Sequence, residues 1–118
     1  MEENINPSES QCSKQLNGVE DALYVIGGKW KLRIIIALNN GHNRFNDLQR
    51  TIKGISARVL SNELKQLELN GLVKRTVHPD QFPVMIAYHA TEYATTLKDV
   101  VSSLAAWGEN HRKKIAEH

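Results

Sequence analysis

Apolar residues recur at helical spacing through most of the chain and alternate with polar ones only over two short stretches. Residues 1–15 are rich in Glu, Asn, Ser and Gln with no apolar period, which predicts a flexible arm. Asn17 then reads as a helix cap. Val19, Leu23 and Ile26 follow it at spacings of four and three with Ala22 beside them, and Gly27 and Gly28 stop the helix. A second helix is predicted from about Lys29 to Asn39. Trp30, Leu32, Ile34, Ile35, Ile36 and Leu38 spread around it, as expected of a central buried helix. Gly41 terminates it, and His42 to Phe45 is a short connection with room for a strand residue or two.

Asn46 reads as the cap of a short helix to Ile52 that turns Leu48 and Ile52 inward, and Lys53–Gly54 makes a turn. Ser56 caps the next helix, which extends to Asn70. Leu60, Leu64 and Leu67 form one inward stripe on it, with Val59 at the flank. Two strands follow. Val73, Arg75 and Val77 alternate with Lys74 and Thr76, and Val84, Ile86 and Tyr88 alternate with Met85 and Ala87. Pro79 to Pro83 is the turn between them. Thr91 caps a last helix with Tyr93, Leu97, Val100, Leu104 and Trp107 at near-heptad spacing.

A short helix, a tight turn, a capped helix and then a hairpin is the order of a winged helix-turn-helix. The expected fold is therefore mainly α with a small β-hairpin wing. In such a motif the second helix enters the major groove. With the leucines inward, the opposite face shows Arg58, Ser61, Asn62 and Lys65, with Ala57 and Ser56 at its start and Glu63 at its edge. Arg pairs with guanine, Asn with adenine, Ser with either edge, and Lys with phosphate or guanine. Arg44, Lys53, Gln49 and Arg50 are candidate phosphate holders, together with the amides after Ser56. Lys74, Arg75 and His78 make the wing basic, whereas Asp80 and Phe82 at its tip are poor ligands for DNA. A solvated helix exterior would also be polar, so a protein-interaction module without DNA binding is the alternative. Steep loss of affinity with salt discriminates the two.

Composition narrows the rest. The 118 residues suit one domain, expected over 16–111 with a tail at 112–118. They are 41% apolar and 24% charged with a net charge of +2, ordinary values for a globular protein. The single cysteine, Cys12, allows no intrachain disulfide and suits a reducing compartment. No apolar run serves as a signal or membrane span, so the expected location is cytoplasmic, with no membrane partner. His42, His78, His89, His111 and His118 lack metal-ligand spacing, and no catalytic cluster or phosphate loop is present. Neither an enzyme nor a cofactor is expected. The seam from Tyr93 through Leu97, Val100 and Leu104 to Trp107 suits a homodimer contact, or packing into the chain's own core. One winged helix covers only about 600–1,000 Å² on DNA, which favours a dimer reading two half-sites.

Ile26–Gly27–Gly28–Lys29–Trp30, Arg44–Phe45–Asn46–Asp47–Leu48, Ile55–Ser56 with Leu60, and Leu67 through Gly71–Leu72–Val73 resemble the HxlR family of bacterial winged-helix regulators, related in architecture to the MarR group. The resemblance covers about Cys12 to Trp107. It implies a homodimer joined by terminal helices, with two recognition helices on a near-palindromic operator, most often as a repressor. It also implies a redox role for Cys12, since some members use a cysteine in this region as a thiol sensor for electrophiles or oxidants. The plain alternative is an inert thiol at the start of the dimer helix. A small-molecule effector between the dimer helix and the DNA-binding core is compatible with the family, and no residue identifies it. The chain departs from the family pattern at Cys12–Ser13, where Cys-Pro is common, and at Met85 and Ile86–Ala87–Tyr88 of the second wing strand.

Overall fold

The computed structural model describes residues 7–117. The elements run α1 (Pro7–Ile26), α2 (Lys31–Asn39), α3 (Phe45–Thr51), α4 (Ala57–Leu69), β1 (Val73–His78), β2 (Met85–Ala90), a 3-10 turn (Tyr93–Leu97) and α5 (Lys98–Ala116). The mainly α architecture with one hairpin is as expected.

The boundaries correct several expectations. α1 begins at Pro7 rather than Asn17, so residues 7–15 of the expected arm are helical, and the rest of the arm lies outside the described residues. Glu9, Gln11, Lys14 and Gln15 are good helix formers without an apolar face, which a search for periodicity passes over. Proline at a first helical position is also favourable, because its missing N–H has no intrahelical partner there. Of the positions expected to face inward, Ile26 is buried, but Val19 and Leu23 are exposed. α1 ends where a Cβ at Gly27 would overlap the Leu23 carbonyl oxygen. α2 starts at Lys31 with Trp30 in the cap position, and α3 starts at Phe45 with Arg44, not Asn46, before it. The last helix opens as a 3-10 turn and continues to Ala116, through most of the expected tail.

The core is the meeting of α2, α3, α4 and the base of the hairpin. Ile34, Ile35, Leu48, Leu60, Leu64, Leu67 and Leu72 are almost wholly buried there. Each contributes about 1.5–3 kcal/mol by leaving water. Ile36, on the opposite side of α2, stays exposed, so that helix is not buried all round. The hairpin is antiparallel, from Val73 opposite Ala90 to His78 opposite Met85, and Val84 falls outside β2. The connection before α3 adds no strand, and its Asn43 carbonyl accepts the Tyr88 N–H at 2.9 Å.

Thr91 joins three elements at once. Its hydroxyl donates to the Gly71 carbonyl at 2.6 Å and accepts from the Ala94 N–H at 3.3 Å. Its own N–H donates to the Leu72 carbonyl at 3.0 Å. The expected cap is therefore present, and it also ties the end of α4 to the start of the terminal helix.

One buried ion pair lay outside the sequence reading. Lys31 is only 8% exposed, and its Nζ donates to Glu63 Oε1 at 2.7 Å, linking α2 to the middle of α4. Removing one partner of a buried pair strands a charge, at a cost of about 3–5 kcal/mol when the pair is fully dry. Glu63 keeps 19% of its side-chain surface in water. Lys31→Met is accordingly expected to cost about 1–3 kcal/mol in urea unfolding, below the cost of a dry pair. Lys31→Met/Glu63→Leu is expected to recover most of it. A double variant as unstable as the single one would show that packing, not charge, sets the loss.

Candidate nucleic-acid interface

α4 is the element around which the site is built. Ser56 stands at its N-cap, where its Oγ accepts the Val59 N–H at 3.1 Å. The turn before it needs Gly54, whose φ of +89° is a backbone state that side chains disfavour. Leu60, Leu64 and Leu67 face the core, as expected, each no more than 2% exposed. Arg58, Asn62 and Lys65 lie exposed on the opposite face. Ser61 is half-buried at the flank rather than central to that face, and Ala57 is exposed at the helix start. Leu69, at the same helical spacing beyond Lys65, is 86% exposed and extends the outward line, a position the sequence reading passed over.

Charge on this face is left for a partner. Neither Arg58 nor Lys65 has an ion pair among the described residues. Glu63, the acid at the edge of the face, is engaged by Lys31. The outward stripe is cationic and polar along Arg58, Asn62 and Lys65, with the exposed Glu68 at its flank one turn beyond Lys65.

The flanking anchors differ in quality. Arg44 is exposed at the start of α3, in extended backbone, and Lys53 is exposed in the α3–α4 turn. Gln49 is half-buried and shares a recess of about 440 Å³ with Asn46, Arg50 and Ile55. Arg50 lies 3.5 Å from Asp47, which also holds the His42 ring Nδ1 at 2.9 Å. Arg50 is thus partly neutralised.

The wing leaves the core after Val73. Lys74 and Arg75 are both exposed, but consecutive strand residues point to opposite faces, so the two do not form one patch. Lys74 stands opposite the exposed His89, while Arg75 stands opposite Tyr88. His78 is half-buried, and Phe82 at the tip is fully exposed.

Away from this face, Tyr93, Val100, Leu104 and Trp107 are exposed, and α5 has no buried residue. Packing into the chain's own core is therefore excluded for these four. Leu97 alone of the expected seam packs against the core. Trp107 stacks on His111 with centroids 4.9 Å apart. α1 adds exposed Leu16, Val19, Leu23 and Tyr24. Cys12 is a free, exposed thiol on α1. Among the described residues no cluster of His, Cys, Asp and Glu is arranged to hold a metal. No described helix is long and apolar enough to cross a membrane.

The HxlR-like helix-turn-helix family profile matches residues 25–116. The HTH-type transcriptional regulator YtcD of Bacillus subtilis (strain 168) is 37% identical over 97 residues, which cover 82% of this chain and 76% of that protein. The redox regulator HypR in its reduced form superposes with a TM-score of 0.77 at 37% identity, over 86% of this chain and 99% of HypR. The reduced form of the transcriptional regulator YodB from B. subtilis gives 0.68 at 38% identity, over 76% and 87%. HypR in its oxidised form and diamide-treated YodB are matched as well. The family profile spans most of the chain, and these likenesses extend over the helix-turn-helix and its wing: the chain belongs to the HxlR-like helix-turn-helix family, a group of DNA-binding transcriptional regulators.

Proposed function

We propose that this protein is a sequence-specific regulator that binds a near-palindromic operator as a homodimer, reading bases with α4. The observation that carries this reading is the outward line of Arg58, Asn62 and Lys65, unpaired and set against a buried leucine stripe. Arg58 reads guanine and Asn62 adenine, with Ser61 and Ala57 at the flank, while Lys65 takes phosphate or guanine. Ser56, Arg44, Gln49 and Lys53 surround the groove contact, and one of Lys74 and Arg75 meets the backbone from the wing. Repression is the proposed sign, since a dimer seated over a promoter blocks access to it.

Surface area supports the dimer. The chain exposes 9231 Å², whereas a compact monomer of this length exposes about 6,500 Å². Its radius of gyration is 18.5 Å against about 13.5 Å for a compact domain. α1 and the Tyr93–Trp107 segment carry exposed apolar side chains that a partner can cover, and an obligate dimer typically covers about 2,000–5,000 Å². A redox input through Cys12 is the proposed regulation. It is supported by the exposure of that thiol and by the likeness to a regulator named for redox response.

Operator fragments selected from a random duplex pool provide the assay. Arg58→Ala is expected to weaken the selected operator by about 1–3 kcal/mol, or roughly 5- to 150-fold, and to relax preference at one base position. Equal weakening on operator and random duplex would remove the reading role of Arg58. Leu104→Asp is expected to give a monomer in sedimentation equilibrium and to lose tight operator binding. A variant that stays dimeric and binds normally would move the interface elsewhere. Hydrogen peroxide is expected to weaken operator binding by the wild type at least several-fold and to leave Cys12→Ser unaffected. The same response in both proteins would end the sensor role.

A further inference from the structure

Three cations stand beside the helix-turn-helix with no carboxylate paired to any of them among the described residues. Lys29 Nζ lies 4.8 Å from the centroid of the Trp30 ring, and the Arg33 guanidinium carbon lies 5.6 Å from it. The far edge of the same indole approaches the α3–α4 turn, where a Cβ at Gly54 would sit 3.8 Å away. Lys53, next to Gly54, and Arg33 line one cleft of about 520 Å³, floored by Ile36, Ala37 and Ile52. Lys29, Arg33 and Lys53 are all exposed, and none has an ion pair among the described residues. Asp47, the acid of α3, is already engaged by His42 and Arg50.

Such an arrangement works against folding unless an anion completes it, because like charges brought together repel. Long cationic side chains on a surface are also mobile, and ordering them is a large part of what binding must overcome. Here one indole ring restrains two of them in advance. The guanidinium offers a planar fork of donors matched to two oxygens of one phosphate, and the ammonium groups add point charge beside it. The location selects the ligand, since the turn that carries Lys53 leads straight to the Ser56 cap of the reading helix.

We propose that Lys29 and Arg33, ordered by Trp30, form with Lys53 a clamp for a backbone phosphate of duplex DNA beside the step read by α4. This rests on the DNA-binding reading above. It extends the interface to α2 and the segment before it, which lie outside the helix-turn-helix proper. The clamp holds position and carries no base preference.

Salt dependence tests it. Affinity for the selected operator and for a random duplex is measured from 50 to 300 mM salt for wild type, Arg33→Gln and Lys29→Gln/Arg33→Gln, with thermal melts confirming the fold of each. Each lost phosphate contact lowers the slope of log affinity on log salt by about 0.9. The double variant is expected to lose about one to two such contacts' worth of slope. It is also expected to weaken both duplexes by the same factor, leaving their ratio unchanged. In a Trp107→Phe background, Trp30 emission is expected to respond to duplex and not to 5 mM inorganic phosphate at matched ionic strength. A wild-type slope in the folded double variant would overturn the clamp, as would a changed operator-to-random ratio. An emission change saturated by phosphate alone would also overturn it, marking a free-anion pocket instead. Absence of any salt-dependent duplex binding by the wild type would sink the functional reading itself, a result distinct from these.

Discussion

The position of α4 is set by two unlike contacts, and the remaining structure serves to keep both. On one side Leu60, Leu64 and Leu67 sink into the core; on the other, Glu63 is drawn against Lys31 of α2. Burial fixes the roll of the helix, because turning it by one residue would bring a leucine into water and a polar side chain into the core. The ion pair constrains the same helix laterally.

Beyond this core the chain divides into two kinds of surface. The face around α4 is polar and charged and takes its order from caps, turns and ring contacts. The terminal helices are the reverse: regular, apolar on one side and nearly unsupported by the rest of the subunit. In the homodimer reading these are complementary needs. The partner supplies the burial that α1 and α5 lack, and the paired subunits present two copies of a small interface that is weak singly.

Much of this was legible because it is encoded locally. The leucine stripe, the Ser56 cap, the Gly54 turn and the hairpin each depend on residues within a few positions of one another. What escaped the sequence depends on distance or on the absence of a pattern. Lys31 reads as a surface lysine, and only its meeting with Glu63, 32 residues on, makes it part of the core. Residues 7–15 form helix through propensity without periodicity. Lys74 and Arg75 look like one basic patch in a row of letters, yet the strand pleat parts them. Lys29 and Arg33, by contrast, lie within three residues of Trp30, so their contact with its ring was a local signal that a search for apolar periodicity passed over.

Thr91 has a mechanical consequence. A single hydroxyl spans the last residues of the wing, the glycine that closes α4 and the first turn of the C-terminal segment. Between the terminal helix and the reading helix there is accordingly no slack linker, only a joint closed by three hydrogen bonds of one residue. A tilt of α5 relative to its surroundings is carried into the far end of α4 rather than absorbed on the way. In the homodimer reading, displacement at the subunit boundary would thereby change the angle at which the side chains of α4 meet the groove.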